Sequence, residues 1–541
     1  MKFSLSSIYS WLAALASGVL LVLSFPKFEW SWLAWVAFVP LLWALTLPAQ
    51  TLKKSFALGF VTGFVFFFFS TNWITHSMTN YGGINVALAY LIAGIFSALV
   101  ALFPALFALL TMIAIKRFGF NAVGLAPFIW VATEWLRAII TGVTWNALGI
   151  SQVNYFEISK LSMTGGVYLV SFAVIACSTV LFLLSEFLND AFSRKIIAAY
   201  LILALVVYWI GLPQFALSTG TRVGNEIKIA GVQPNLPVDI LTQADAITLR
   251  NEGGLDINRK LTTSAIQTAE NKSADIIVWT ESPLVLNYDE DEKTRQQINE
   301  TAKAHKAHLI FSGVARNGEQ IFNCVQTITP DGRALKRYDK MRLMPFGEYV
   351  PLRPILGYFV PAMIGDFTPG NSAVVNSFKL KTQLAVIQNE QETAGEVALE
   401  RTTNFVKAGT FICYEAAYPN IVRQFVNNGA SVLINISDDA WFGNSAGTAQ
   451  HLSHARMRAI ENDRDIVRVT NSGISALITA EGKVVEPLPS FTAGSHVWTA
   501  EQRKWKTFYA MYGDWFAYLS LVISAAAVIF SILKKPQIQT N

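Results

Sequence analysis

Charge is what this sequence has little of. Only 15% of its 541 residues are Asp, Glu, Lys or Arg, and 52% are hydrophobic, whereas about a quarter of an ordinary soluble chain is charged. A wholly soluble multidomain protein is excluded. The deficit is uneven: residues 1–213 are successive runs of Leu, Phe, Ala and Trp, while 214–510 have ordinary globular composition. Cysteine is scarcer still. Cys177, Cys324 and Cys413 give neither a disulfide framework nor a metal-ligand spacing. The net charge of +5 comes with no continuous basic patch interleaved with aromatics, so nucleic acid is not an expected partner.

What is present in the first 213 residues is membrane-spanning sequence. A helix needs about 17–25 apolar residues to cross the hydrocarbon core. Seven runs qualify before the soluble region (8–25, 29–47, 56–74, 84–115, 121–140, 161–188 and 196–213), and an eighth, 515–533, follows it. The next apolar run follows the first almost at once with no small-residue cleavage pattern, so a cleaved signal peptide is not expected. Lys and Arg concentrate in cytoplasmic loops. Here Lys2, Lys53 with Lys54, Lys116 with Arg117, Arg194 with Lys195, and Lys534 with Lys535 mark every second connection. Both termini are therefore expected in the cytoplasm and the large soluble domain outside it. Within the fifth run, Glu134 and Arg137 lie three residues apart; charges at that depth are either a structural pair or part of a substrate path.

From Glu226 onward, short β-branched runs alternate with longer helical stretches, the pattern of an α/β domain with strands buried on both faces. "ADIIVWTESP" reads as a strand ending at Glu281, "FNCVQTITPDGRALKRYDK" as strands turning at Asp331-Gly332 and leading to Lys340, and "TFICYEAAYP" as a strand ending at Cys413. Reactive groups collect on the loops at such strand ends. A lone cysteine is more often a small buried hydrophobe than a nucleophile. Cys324, inside a strand, is expected to be of that kind.

Cys413 has other company. A thiol attacks as thiolate and needs a base and nearby positive charge, and no triad histidine is in evidence: His305, His308, His451, His454 and His496 lie in helical or irregular polar sequence. Carboxylate and ammonium groups must substitute, with Glu281 as general base and Lys340, together with the backbone N–H after the nucleophile, as oxyanion donor. In "YDKMRLMPFGEYVPL" a turn at "PFG" can fold Glu348 back to orient the ammonium. Glu415, two residues past the thiol, is placed for a supporting role.

Glu281, Lys340 and Cys413 in that order, with "KMRLMPFGEYVP", "CYE", "NISDDAWFG" and "QHLSHARMRAIENDRDIVRVTNSGISALI", resemble the nitrilase superfamily. Joined to a span bundle before and one helix after, nearly the whole chain resembles the apolipoprotein N-acyltransferase family. The resemblance implies an eight-span α-helical membrane bundle (residues 1–213 and 511–541) and, from 214 to 510, a periplasmic αββα sandwich, in a bacterial inner membrane. It implies a ping-pong acyl transfer. Cys413 takes the sn-1 acyl chain of a phospholipid, typically phosphatidylethanolamine, as a thioester, and the α-amino group of a diacylglyceryl-cysteine at a lipoprotein's N-terminus then accepts it. Glu281, Lys340 and Cys413 form the triad, Glu348 and Glu415 support it, Tyr414 contributes its amide to the oxyanion hole, and Trp441 and Phe442 sit on a mobile aromatic loop at a lipid-facing entrance. No cofactor and no metal are implied, and a monomer would suffice. The chain departs from the family pattern at Thr280, where proline is usual, at Arg342, where histidine is frequent, near Thr242, where tryptophan is found, and in "SDDAWFG", where Asn-Asp-Ala-Trp-Phe-Gly is more usual. The polar stretch 386–403 reads as an inserted excursion. Two other readings use the same residues: a membrane-tethered amidase hydrolysing a small amide, and a silent membrane scaffold or transporter with a relic domain.

Overall fold

A computed structural model describes residues 5–48, 50–187, 193–203, 205–206, 226–237, 244–269, 273–281, 287–345, 347–350, 353, 366–380 and 405–533. The excursion at 386–403, Thr242 and, of the expected span 196–213, residues 204 and 207–213 lie outside them.

Among the described residues five helices are long and apolar enough to cross a membrane, not eight: Leu52–Thr71, Val86–Phe118, Phe120–Thr141, Ser162–Ser185 and Trp515–Leu533. The stretch expected as a second span is broken into a 3-10 turn, Ser31–Trp35, and an eight-residue helix, Val39–Thr46. Pro40 occupies the first turn of that helix, where proline starts a helix but cannot continue one from upstream. The first apolar helix runs Leu5–Leu23, 19 residues. The helix Ser162–Phe187 is interrupted at Gly165 and Gly166. Gly166 has φ +68, and the ring of Tyr509 lies 2.5 Å from where a Cβ would stand, so glycine is required there for conformation and space alike.

The soluble domain is two six-stranded sheets face to face. One runs in the order β12-β1-β2-β3-β4-β5, the other β11-β10-β9-β8-β7-β6. The strands are β1 Ile227–Gln233, β2 Ile276–Trp279, β3 His308–Asn317, β4 Gln320–Ile328, β5 Tyr338–Asp339, β6 Val375–Lys379, β7 Phe405–Ile412, β8 Val432–Ser437, β9 Ile466–Thr470, β10 Ser475–Ile478, β11 Val484–Leu488 and β12 Gly494–Ala500. β1, β2 and β3 are parallel, as are β7, β8 and β9, so each sheet brings several C-terminal strand ends to one rim. Ile229, Val278 and Ile310 of the first sheet pack with Phe411, Ile434 and Val467 of the second in one core. The opposite face of the first sheet, with Ala230, Ile277 and Leu309, is covered by Ile298 and Ala302 of helix Glu292–His305 and by Leu255 and Ile266.

Helix Ala446–Asn462 joins the two halves of the molecule. Its Ala455 and Ala459 pack into the sheet core, and its Met457 and Ile460 pack into the membrane bundle. Polar residues along it are buried as well: Gln450, His451, His454, Arg458, Glu461 and Asn462. A polar helix can be enclosed on every side only if most of its polar groups meet partners. Gln450 does so four times over. Its Oε1 accepts from the indole N–H groups of Trp73 (3.0 Å) and Trp145 (2.7 Å), and its Nε2 donates to the carbonyls of Pro26 (2.8 Å) and Ser70 (2.9 Å). Glu461 accepts from the N–H of Val167 at 2.8 Å, just past the break in helix Ser162–Phe187, and so caps a bundle helix from the soluble domain.

Candidate active site

The two sheets meet at their strand ends, and there the sequence-predicted residues converge. Glu281 lies two residues beyond β2, Lys340 directly follows β5, and Cys413 directly follows β7. Lys340 is buried, and its ammonium lies 2.9 Å from Glu348 Oε1 and 3.3 Å from Glu281 Oε1. Burial alone would lower its pKa, but the two carboxylates outweigh that, and the pKa is raised above the ordinary lysine value. Lys340 is therefore a fixed cation, not a base. Asn323, which the sequence reading missed, donates to the same two oxygens, at 3.1 Å to Glu281 and 2.6 Å to Glu348. No local motif marks it; only the β4–β5 pairing, with the Lys340 N–H on the Asn323 carbonyl at 2.8 Å, brings it there.

Glu348 accepts the N–H of Met344 at 2.7 Å, so the turn between them folds the carboxylate back onto the lysine. Glu415 is fully buried and links the sheets: Oε1 accepts from Tyr338 Oη (2.7 Å), Met341 N–H (2.8 Å) and Arg342 N–H (3.1 Å), while Oε2 accepts from Ile412 N–H (2.8 Å). Burial raises its pKa against the pull of these donors. At Thr280 the hydroxyl donates to the Ser437 carbonyl at 2.5 Å. That bond ties the end of β2 to the end of β8 and restrains the chain before Glu281.

Cys413 is half-buried, with φ +49, a left-handed conformation that costs a non-glycine residue about 1–3 kcal/mol. It opens the short 3-10 helix Cys413–Ala417. Its thiol is not primed as a thiolate: burial and then the Glu281 carboxylate push its pKa well above the ordinary thiol value, and Lys340 only partly offsets them. Cys324 is buried on β4, donates to the Gly313 carbonyl at 3.3 Å, and has its pKa pushed up to about 12 by burial.

Tyr414 stacks on Trp145, centroids 6.0 Å apart, and packs edge-on to Tyr418 at 5.2 Å. Trp145 belongs to the bundle, so the 3-10 helix that Cys413 opens lies against the membrane half. Glu134 and Arg137 hold that tryptophan's loop: Arg137 donates to the Trp145 carbonyl at 2.7 Å, and Glu134 accepts from Leu148 N–H at 2.7 Å. Arg342 lies over the Tyr418 ring at 4.9 Å, and the Tyr418 hydroxyl donates to the Gly142 carbonyl at 2.6 Å.

Trp441 and Phe442 lie on the 3-10 turn Asp439–Phe442, capped by the Asp438 side chain on Ala440 N–H. Phe442 is buried against Trp73 at 4.8 Å. Trp441 contacts Tyr81 at 4.8 Å, and its carbonyl accepts from Ser77 Oγ at 2.5 Å. Burial, ahead of a smaller effect from Glu281, pushes the Asp438 carboxyl up to about 8. At neutral pH it is mostly protonated and adds little negative charge beside Glu281, which accepts its N–H at 3.3 Å.

Residues 17–180 match the apolipoprotein N-acyltransferase N-terminal domain, and 243–503 match the carbon-nitrogen hydrolase domain. The apolipoprotein N-acyltransferase of Geobacter metallireducens is 30% identical, over 96% of this chain and 95% of that one; that of Pasteurella multocida is 28% identical, over 95% and 94%. An amidase from Nesterenkonia sp. is 15% identical, covering 56% of this chain and 96% of that chain, with a TM-score of 0.36. Both domains and the near full-length relatives agree: the chain belongs to the apolipoprotein N-acyltransferase family, multi-pass membrane enzymes with a nitrilase-superfamily domain.

Proposed function

We propose that the protein moves the sn-1 acyl chain of a phospholipid, with phosphatidylethanolamine as the expected donor, onto the N-terminal amine of a diacylated apolipoprotein. The observation that carries this reading is the meeting of Glu281, Lys340 and Cys413 at the seam where Trp145 of the bundle stacks on Tyr414. A purely soluble substrate would not require a thiol against the membrane half.

In the first half-reaction Sγ of Cys413 attacks the ester carbonyl and Glu281 takes its proton. Lys340 Nζ and the Tyr414 N–H receive the oxyanion. Collapse expels the glycerol oxygen, which recovers the proton from Glu281, and lysophospholipid leaves. In the second, the amine attacks the thioester carbonyl and loses a proton to Glu281. The departing sulfur takes that proton back, and the N-acylated lipoprotein leaves. A neutral resting thiol suits this scheme, because the base acts as attack occurs. Glu348 and Asn323 hold Lys340 in place, and Glu415 fixes the nucleophile strand against the lysine loop.

The test is to trap the intermediate with a phospholipid labelled in its sn-1 chain. A protein-bound label released by neutral hydroxylamine is expected, absent in Cys413→Ala, and passing to a diacylated lipopeptide on addition. Free fatty acid without N-acylated peptide would favour the amidase reading, and no adduct on folded protein would remove Cys413 as nucleophile.

A further inference from the structure

Behind the nucleophile lies a buried chain of charged and polar groups that the scheme above does not use. Arg468 Nη2 donates to both oxygens of Asp439, at 2.9 and 2.7 Å, and Ser437 Oγ donates to Oδ1 at 2.8 Å. Asp439 Oδ1 lies 2.9 Å from His451 Nδ1, and His451 Nε2 lies 3.0 Å from the carbonyl oxygen of Cys413. Arg468, Asp439 and His451 are all fully buried. A carbonyl can only accept, so Nε2 carries the hydrogen.

That carbonyl belongs to the peptide unit whose other end is the Tyr414 N–H. In a planar trans peptide the two point in opposite directions, so fixing one fixes the other. Tyr414 is the second residue of its 3-10 helix, a position with no carbonyl of its own helix to donate to. A hydrogen bond to the carbonyl also polarises the amide and strengthens its N–H as a donor. The left-handed φ of Cys413 makes restraint of this peptide necessary, because a strained backbone persists only where its surroundings hold it.

We propose that His451, braced by Asp439 and Arg468, is a positioning residue that holds and polarises the Cys413–Tyr414 peptide as an oxyanion donor. The inference rests on the thioester reading of Cys413. It separates the site's two tasks: Glu281 handles the proton, and the histidine relay sets the amide that meets developing negative charge.

The test uses the full-length protein in detergent with lipid, comparing wild type, His451→Ala and His451→Gln. Two reactions of Cys413 are followed: acylation by labelled phospholipid, which passes through an oxyanion, and alkylation by iodoacetamide, which does not. Expected for His451→Ala is a fall of about 10- to 100-fold in the acylation rate at saturating donor, smaller than the loss of a whole oxyanion donor. KM and the alkylation rate should change less than about threefold. Gln can present an N–H toward the same carbonyl and should recover part of the acylation rate. An equal loss in both reactions would mean general disruption and would overturn the proposal, as would unchanged acylation in the alanine variant. If the alanine variant does not fold, the glutamine and methionine variants decide: acylation retained in His451→Gln but lowered in His451→Met, with alkylation unchanged in both, supports the role, and acylation that is equal in the two variants overturns it. Failure of the wild type to form any thioester would instead sink the underlying reading, while wild-type acylation matched by every variant would sink this inference alone.

Discussion

At the scale of single residues, Cys413 feels opposed charges. Lys340 favours the thiolate, burial and Glu281 disfavour it, and the balance leaves the thiol protonated at neutral pH. Glu281→Gln separates the two effects of that carboxylate. Acyl transfer should fall by about 10²–10⁴ through loss of the general base. The thiol's own pKa should move the other way, because a negative charge that opposed ionisation is gone while Lys340 remains. The midpoint of the pH dependence of iodoacetamide alkylation is therefore expected at lower pH in the variant than in wild type. A midpoint that stays put or rises would mean that Glu281 does not set the charge state of the thiol. The order of Glu281, Lys340 and Cys413 was readable without coordinates because each stands within two residues of the end of a strand-like run. The direction of the thiol's pKa was not, since it depends on how deeply three separate loops enclose the sulfur.

At the scale of elements, helix Ala446–Asn462 was the least legible. "GTAQHLSHARMRAIEN" carries enough polar residues to pass for a solvated helix, and its histidines gave no recognisable spacing. Its polar positions are buried because sheet lies on one side and bundle on the other, a long-range arrangement that no local period encodes. Asp331-Gly332, by contrast, was legible as a turn, since Gly332 with φ +83 satisfies a local conformational demand. Gln450 is where the enclosed helix should prove most sensitive. Leucine has similar bulk but would strip partners from two indole N–H groups and two carbonyls at once, and each group left unsatisfied costs about 1–3 kcal/mol. Gln450→Leu is expected to lower the midpoint of thermal unfolding in detergent by several degrees and to shift tryptophan emission, because Trp73 and Trp145 lose their acceptor. An unchanged melting curve would mean that other contacts carry the seam.

At the scale of the whole molecule, composition divided the chain into membrane and soluble parts, but hydropathy overcounted continuous helices. An apolar run says that a segment is buried, not that it is unbroken, and Pro40 splits one such run. The chain's path still constrains how the protein sits. Pro26 and Ser70 both meet Gln450, while Lys53 opens the helix Leu52–Thr71 that ends beside Ser70. Twenty residues at 1.5 Å each span about 30 Å, so the segment between Pro26 and Lys53 returns the chain to the far end of the bundle despite its break. Lys116 and Arg117 close helix Val86–Phe118; before its start, Ser77 holds the Trp441 carbonyl. Gly142, which ends helix Ala126–Thr141, accepts from Tyr418. The soluble domain thus meets helix ends opposite the basic ones, and with Lys and Arg favouring the cytoplasm the proposed domain location is extracytoplasmic. The check is labelling by a membrane-impermeant maleimide in cells with a permeabilised outer membrane, with Cys177→Ser, Cys324→Ser and Cys413→Ala removing the native thiols. Lys483→Cys, at an exposed turn between β10 and β11, should label in intact inner membranes. Lys53→Cys, also exposed, should label only after the inner membrane is opened, and the reverse pattern would place the thiol on the cytoplasmic side, away from the proposed lipoprotein acceptor.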